Sequence, residues 1–212
     1  MATDLQGWRF ELRPGLILAT RVPAAGPLPG TRLILVEAGS AFPPTHPATR
    51  LSLELLVQAL AVAPARSFLD VGCGSGVLSL AAAALGVPRV VGVDVAPEAV
   101  AATRDNARAN GLEGALYVAR GSTGCLRGPF DLVAANLHPE VHRQKADELT
   151  RLAAGKGRLL LAGFREPEES ELLQAYEARG FRLQARRTRG FTLPSLPAGI
   201  SFIWAAWLLI RT

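Results

Sequence analysis

The feature that most constrains the fold is a glycine-rich turn placed between two apolar runs. The chain reads SFLDV over 67–71, GCGSG over 72–76 and VLSLAAAAL over 77–85. Glycine adopts backbone conformations with positive φ at little cost, and a helix that starts directly after the turn offers unpaired N–H groups. The segment therefore predicts a buried strand, a ligand-binding turn and a helix, in that order.

The same alternation of strand and helix continues toward the C-terminus. Further strands are predicted over Val90–Val93, Ala115–Ala119, Phe130–Ala135 and Arg158–Ala162. Helices are predicted from a Thr45 cap with Pro47 in the first turn, from Pro97 to Asn110, and over Val141–Leu152 and Pro167–Arg179. Repeated βα units predict an α/β fold: a doubly wound, mostly parallel, seven-stranded Rossmann-like sheet. The last two strands, Phe181–Arg187 and Ile200–Ile210, have no helix between them and predict a C-terminal antiparallel hairpin.

The first part of the chain has a different pattern. Two short β-like runs, Leu16–Thr20 and Arg32–Val36, are separated by a segment rich in proline and glycine. They predict a small N-terminal β extension or linker over residues 1–44, followed by the main domain over 45–212.

Composition limits the classes of protein that this chain can be. Hydrophobic residues make up 49% and charged residues 19%, which suits a folded core and excludes global disorder. The two cysteines cannot build a disulfide framework, and the first residues lack the pattern of a signal peptide. The longest apolar run, residues 200–210, is shorter than the roughly 20 residues of a membrane-spanning helix. We therefore expect a soluble, cytoplasmic protein that does not bind membranes.

Two carboxylates near the glycine turn bear on which class of ligand this turn can bind. Asp70 stands two residues before Gly72, where it would repel a pyrophosphate and attract an ammonium or sulfonium group. The glycine spacing, GxGxG at Gly72, Gly74 and Gly76, also differs from the GxGxxG typical of NAD sites. Asp94 ends the next strand, 22 residues after Gly72, where an acid accepts hydrogen bonds from ribose hydroxyls. Asp70 and the glycine spacing favour S-adenosylmethionine over NAD, whereas Asp94 supports binding of either adenosine cofactor.

The later strands supply the remaining candidates. The fourth strand ends at Asn136, and in an open sheet this end should face the glycine turn across the ligand crevice. Its carbonyl could hold an amine for methyl transfer, which makes Asn136 the candidate catalytic residue. Ser122 either lines an adenine pocket or is a turn serine. His46 and His138 are either bases or exposed loop residues, and His142 is expected to be exposed. The histidines and cysteines have no metal-ligand spacing, so no metal is expected.

These motifs also resemble a known family. The run from Leu69 to Leu112 looks like the core of class I S-adenosylmethionine-dependent methyltransferases. THPATRLSLELL over 45–56, GPFDLVAANL over 128–137 and ILVEAGSAF over 34–42 are more closely similar to PrmA, the bacterial ribosomal-protein methyltransferases. The resemblance implies cofactor contacts at Thr49, Gly72, Asp94 and Asn136. It also implies transfer of a methyl group to an amine nitrogen of an acceptor protein, with a ribosomal protein as one candidate.

The chain departs from that family at two places. Phe42 is followed by Pro43 and Pro44, where the family usually has a glycine-containing loop that covers the cofactor. The chain also starts near the linker that follows the family's substrate-recognition domain. Alternative functions are therefore an RNA or small-molecule methyltransferase with the same core, or a non-catalytic S-adenosylmethionine-binding module.

The segment between the last two strands is a candidate docking site for the acceptor. Residues 189–197 follow the carboxyl end of a predicted parallel strand, so they should emerge beside the cofactor crevice. Phe191, Leu193 and Leu196 form an apolar tip, and a basic flank leads into it, formed by Arg186, Arg187 and Arg189. The segment either grips an acceptor protein or RNA, or folds back onto the domain. The sequence does not indicate the oligomeric state.

Overall fold

The computed structural model describes residues 7–37, 43–153, 155–190 and 202–212. The strands are β1 (Arg9–Arg13), β2 (Leu16–Ala19), β3 (Arg32–Leu35), β4 (Ser67–Val71), β5 (Arg89–Asp94), β6 (Leu116–Arg120), β7 (Leu132–Asn136), β8 (Arg158–Arg165), β9 (Phe181–Arg189) and β10 (Trp204–Arg211). The α-helices are α1 (Pro47–Val62), α2 (Val77–Ala84), α3 (Pro97–Ala109), α4 (Pro139–Leu152) and α5 (Glu166–Glu177).

The main sheet has seven strands in the order β6-β5-β4-β7-β8-β10-β9. β4 lies between β5 and β7 and is parallel to both, so the strand order reverses at the β4–β7 pair. β10 runs antiparallel to both β8 and β9, which makes β9 parallel to the rest of the sheet. The predicted fold class, including the C-terminal antiparallel hairpin, is confirmed.

Both faces of the sheet are covered, which explains why its central strands are mostly apolar. Every residue of β4 is buried. One apolar cluster joins the sheet to α1 and α2, and a second joins the opposite face to α4 and α5. A strand buried on both faces needs continuous hydrophobic sequence, and parallel sheets place strands in that environment.

The N-terminal residues form a separate three-stranded sheet in the order β1-β2-β3. β2 and β3 match the two predicted β-like runs, whereas β1 was not predicted; its alternating pattern buries Phe10 and Leu12. The inner face of this sheet belongs to the same apolar cluster as α1, so it shares a core with the main sheet.

Several predicted boundaries differ from the observed ones. His46, and not Thr45, caps α1: its Nδ1 atom accepts a hydrogen bond of 3.2 Å from the Ala48 N–H. The strand predicted from Ile200 begins at Trp204 among the described residues. Of the predicted docking segment, Arg189 and Gly190 are described, whereas the part from residue 191 onward, with Phe191, Leu193 and Leu196, lies outside the described residues. Within the described ranges, no helix is long and apolar enough to cross a membrane.

Candidate functional site

A cavity of about 560 Å³ opens at the carboxyl ends of β4, β5, β6 and β7. In an open parallel sheet, this edge beside the strand-order reversal is where ligands bind, because the loops on the two sides diverge there. Its lining brings together predicted residues from four separate loops: Gly72, Gly74, Asp94, Ser122 and Asn136.

The glycine turn has the left-handed conformations that its sequence predicts. Gly72, Gly74 and Gly76 have φ values of 72°, 58° and 82°. A Cβ atom on Gly72 would lie 2.5 Å from Leu137 Cδ2, and one on Gly76 would lie 2.8 Å from Thr103 Cγ2. A Cβ on Gly74 would meet no atom within 4 Å. Positive φ together with these close approaches favours glycine at 72 and 76, whereas Gly74 leaves a bare backbone surface that a ligand can approach.

Asp94 connects the end of β5 to this turn. Its Oδ2 atom accepts a hydrogen bond of 3.0 Å from the Gly74 N–H, and its Oδ1 atom accepts one of 3.0 Å from the Ala96 N–H. Each carboxylate oxygen can accept a further hydrogen bond. The carboxylate is thus held in one orientation on the cavity wall and can still bind hydroxyl groups.

Asp70 has a more enclosed position than the sequence analysis expected. Only 2% of it is exposed, and its Oδ2 accepts from the Ser79 N–H at 3.0 Å and the Ser79 hydroxyl at 2.7 Å. Burial raises the pKa of this carboxyl to about 6. It borders a recess of about 40 Å³ that also contacts Thr49 and Asn136, and not the large cavity. Asp70 therefore orients the start of α2 and can face a cation only through this recess.

Thr49 and Asn136 meet although they are far apart in the chain. Thr49 lies in the first turns of α1 and is buried, and Asn136 ends β7. The Asn136 Nδ2 atom donates to the Thr49 Oγ1 atom at 3.4 Å. This contact turns the amide so that its carbonyl oxygen, Oδ1, is the group that Asn136 can present to a ligand.

A polar cluster forms one side of the cavity near Ser122. Ser122 lines the cavity, and the hydroxyl of the adjacent Thr123 donates to Glu148. Glu148 also accepts from Lys145 Nζ at 2.9 Å, and the hydrogen bond from Thr123 is the main cause of its lowered pKa. Lys145 was not predicted as a site residue. The signal in the sequence that could have indicated it is its position one turn after Val141, on the α4 face that lines the cavity.

The histidines have three different roles. His138 lines the cavity at the start of α4. The ring of His46 packs edge-on against Trp204, with centroids 4.5 Å apart, and burial lowers the pKa of His46. The expectation that His142 is exposed is wrong, because it is buried between the Tyr176 hydroxyl at 3.2 Å and the Ala162 carbonyl at 2.8 Å. That burial lowers its pKa to about 4, so the ring is neutral.

The described residues offer little other reactive chemistry. In these ranges, no group of three His, Cys, Asp or Glu side chains could hold a metal ion. Cys73 is buried beside Thr103, and burial raises the pKa of its thiol to about 12. A thiol that stays protonated is a poor nucleophile.

The basic flank is largely neutralised by the protein itself. Arg186 binds Glu166 at 3.0 Å and Glu169 at 2.6 Å, and Arg189 binds Glu54 at 3.2 Å. Arg187 donates to the Gln58 side chain at 2.8 Å. These contacts join β9 to α1 and α5, so the arginines have a structural use within the fold.

A doubly wound sheet with a positive-φ glycine turn after β4 and an acid at the end of β5 defines a Rossmann-like fold with a site for an adenosine-containing cofactor. The solved structure of ribosomal protein L11 methylase from Lactobacillus delbrueckii subsp. bulgaricus has the same fold, with a TM-score of 0.73 at 24% identity. That match covers 96% of this chain and 98% of the other. An O-methyltransferase from Bacillus cereus, solved in complex with SAH, matches with a TM-score of 0.58 at 13% identity, over 82% and 84% of the two chains.

Sequence comparison identifies the family. The family model described as Ribosomal protein L11 methyltransferase (PrmA) matches residues 21–190, and the chain belongs to this family. The Ribosomal protein L11 methyltransferase of Azotobacter vinelandii is 42% identical over 71% of this chain and 51% of that protein. The one from Geobacter metallireducens is 36% identical over 86% of this chain and 61% of that protein. The chain thus spans about half the length of the curated relatives that it matches.

Proposed function

We propose that this protein transfers the methyl group of S-adenosylmethionine to an amine nitrogen of a ribosomal protein. The observation that carries the proposal is the convergence of Gly74, Asp94 and Asn136 on one cavity at the strand-order reversal. The family to which the chain belongs, the ribosomal protein L11 methyltransferases, supplies the acceptor class.

The residues at the cavity suit S-adenosylmethionine. Gly74 has open space where a side chain would stand, and Asp94 has remaining lone pairs for ribose hydroxyls. Asp94 accepts from the Gly74 N–H of the turn, and Asp70 accepts from the Ser79 N–H in the first turn of α2, so negative charge at both places disfavours a pyrophosphate. When bound, the cofactor supplies a methyl group on a sulfonium that is already a good leaving group.

The chain's own residues then act on the acceptor. Asn136 Oδ1 accepts an N–H of the acceptor amine and so fixes the direction of the nitrogen lone pair. Thr49 holds the amide in the orientation that this requires. Trp204 lines the same cavity and excludes water from one side of it. Methyl transfer to an amine needs mainly such positioning.

The direct test is transfer of a labelled methyl group. The protein is incubated with methyl-labelled S-adenosylmethionine and either ribosomal protein L11 or a cell extract, with protease-treated and nuclease-treated extracts as controls. We expect protease-sensitive, nuclease-resistant labelling. Nuclease-sensitive labelling would instead favour an RNA methyltransferase, and tight cofactor binding without any labelling would favour a non-catalytic binding module.

Asp94→Ala should weaken S-adenosylmethionine binding at least about tenfold, because charge-assisted hydrogen bonds contribute roughly 1.5–3 kcal/mol each. Calorimetry on the folded variant measures this change. Asp94→Asn keeps one carbonyl acceptor and should give a smaller loss. Asp105→Ala, an exposed acid on α3, is the matched control and should bind normally. Unchanged affinity in Asp94→Ala would contradict the assignment.

A further inference from the structure

Two asparagines of α3 and its C-cap dock the N-terminal sheet onto the main domain. Asn106 lies in the last turn of α3, and Asn110 is its C-cap residue. Asn110 accepts from the Leu35 N–H and donates to the Leu35 carbonyl, each at 2.8 Å. Asn106 accepts from the Glu37 N–H at 3.0 Å and donates to the Glu37 carbonyl at 2.9 Å. Each side chain thus pairs with both backbone polar groups of one residue.

The spacing of helix and strand explains why this pairing works. Residues four apart on a helix are separated by about 6 Å along its axis. Residues two apart on an extended strand are separated by about 6.6 Å. β3 is an edge strand of the three-stranded sheet, and the Val36 N–H after it donates to the Ala19 carbonyl of β2 at 2.9 Å. Because backbone polar groups alternate in direction along extended chain, those of Leu35 and Glu37 face away from β2. The two asparagine amides therefore form hydrogen bonds to this edge of the sheet in the way that a neighbouring strand would.

Asn106 makes one contact that Asn110 does not make. Its second Nδ2 proton is donated to the Ser75 carbonyl at 2.9 Å, inside the glycine turn. Thr103, one turn earlier on α3, donates to the adjacent Gly74 carbonyl at 2.9 Å. Asn106 is only 4% exposed, and both of its amide protons and its carbonyl are engaged. Side chains of α3 thus donate hydrogen bonds to two consecutive carbonyls of the glycine turn.

We propose that Asn106 is a positioning residue that couples docking of the N-terminal sheet to the shape of the glycine turn, and through it to cofactor affinity. Glu37 fixes the rotation of the Asn106 amide, and that rotation directs the second proton to Ser75. Loss of Glu37 pairing frees the amide to rotate, and the Ser75 carbonyl then loses its donor. The part that concerns cofactor affinity rests on the proposed function, whereas the coupling to the turn does not.

Three variants separate coupling from general stabilisation. Asn106→Ala removes the contact with the turn directly. Glu37→Pro removes the N–H that orients Asn106, although Glu37 is exposed and does not contact the turn. Asn110→Ala is the matched control, because it removes a similar pair of hydrogen bonds to β3 and leaves the side-chain contacts of Asn106 with Glu37 and Ser75 in place. It also removes the 2.7 Å hydrogen bond from Asn110 Nδ2 to the Asn106 backbone carbonyl, which does not touch the glycine turn.

Hydrogen exchange on the unliganded protein tests the coupling without any cofactor. We expect the amides of residues 72–76 to exchange about tenfold faster in Asn106→Ala and Glu37→Pro, since local opening becomes easier. Asn110→Ala should speed exchange only in β3. Equal exchange at 72–76 in all three variants, or no change in Glu37→Pro, would overturn the proposal. If Asn106→Ala does not fold, the contrast between Glu37→Pro and Asn110→Ala still decides it.

Calorimetry with S-adenosylmethionine then tests the consequence for the site. Affinity should fall about tenfold in Asn106→Ala and stay within about twofold in Asn110→Ala, because one buried hydrogen bond to the turn is lost only in the first. If the unaltered protein does not bind S-adenosylmethionine, the proposed function fails, and the exchange result still judges the coupling. Equal affinities in the two variants would show that Asn106 only stabilises the fold.

Discussion

Replacing Asn136 by alanine is expected to lower the rate of methyl transfer about 100-fold while S-adenosylmethionine affinity changes less than about threefold. The asymmetry follows from what the side chain contacts. Asn136 Nδ2 is held by Thr49, which leaves Oδ1 to orient the acceptor amine. Without Oδ1, the acceptor nitrogen samples unproductive orientations, whereas the turn and Asp94 still hold the cofactor.

Single-turnover methylation with calorimetry on the same preparations measures both quantities. Thr49→Val is the matched comparison, because it keeps the shape of the buried side chain and removes only the partner of Nδ2. It should lower the rate less than Asn136→Ala, roughly tenfold, since the amide is present but no longer fixed. If turnover and cofactor affinity fall together in Asn136→Ala, the residue is only a wall of the cavity.

The parts of the site that the sequence could predict are those built by local rules. The glycine turn needs positive φ at three positions within five residues, and only glycine adopts that at low cost. Asp94 is placed by the end of one strand, and Asn136 by the end of another. Since parallel strands end at one edge of a sheet, the alternation of strands and helices was enough to bring these residues together.

The parts that the sequence could not predict depend on contacts between distant segments. His142 is buried because α4 packs against β8 and α5, and nothing near it in the chain indicates this. Asp70 turns toward Ser79 because its strand is buried on both faces. Asn106 meets both Glu37 and Ser75 only after the N-terminal sheet has docked. A side chain's partner across such a distance has no periodic signal in the sequence.

Asp70 and His142 should give the stability of the protein two opposing dependences on pH. Burial raises the pKa of Asp70 from its ordinary 3.8 to about 6, so its contribution is present below pH 4 and is lost as pH rises through 6. Burial lowers the pKa of His142 from 6.5 to about 4, so its contribution is present above pH 6.5 and is lost as pH falls through 4. A shift of one pKa unit corresponds to 1.36 kcal/mol, so each group changes the free energy of unfolding by roughly 3 kcal/mol. The two changes have opposite signs and nearly cancel between pH 4 and 6.5.

In each single variant, the free energy of unfolding should therefore show a dependence on pH that cancels in the unaltered protein. Relative to that protein, the free energy of unfolding of Asp70→Asn should fall by roughly 3 kcal/mol between pH 6.5 and pH 4, because only the His142 contribution remains. That of His142→Gln should rise by a similar amount over the same range. Urea unfolding at a series of pH values measures both, and taking differences removes the contribution of all other titrating groups. The double variant serves as the control and should again parallel the unaltered protein. Two single variants with slopes of the same sign would contradict the assignment, because the two buried groups are held in opposite protonation states by the same desolvation.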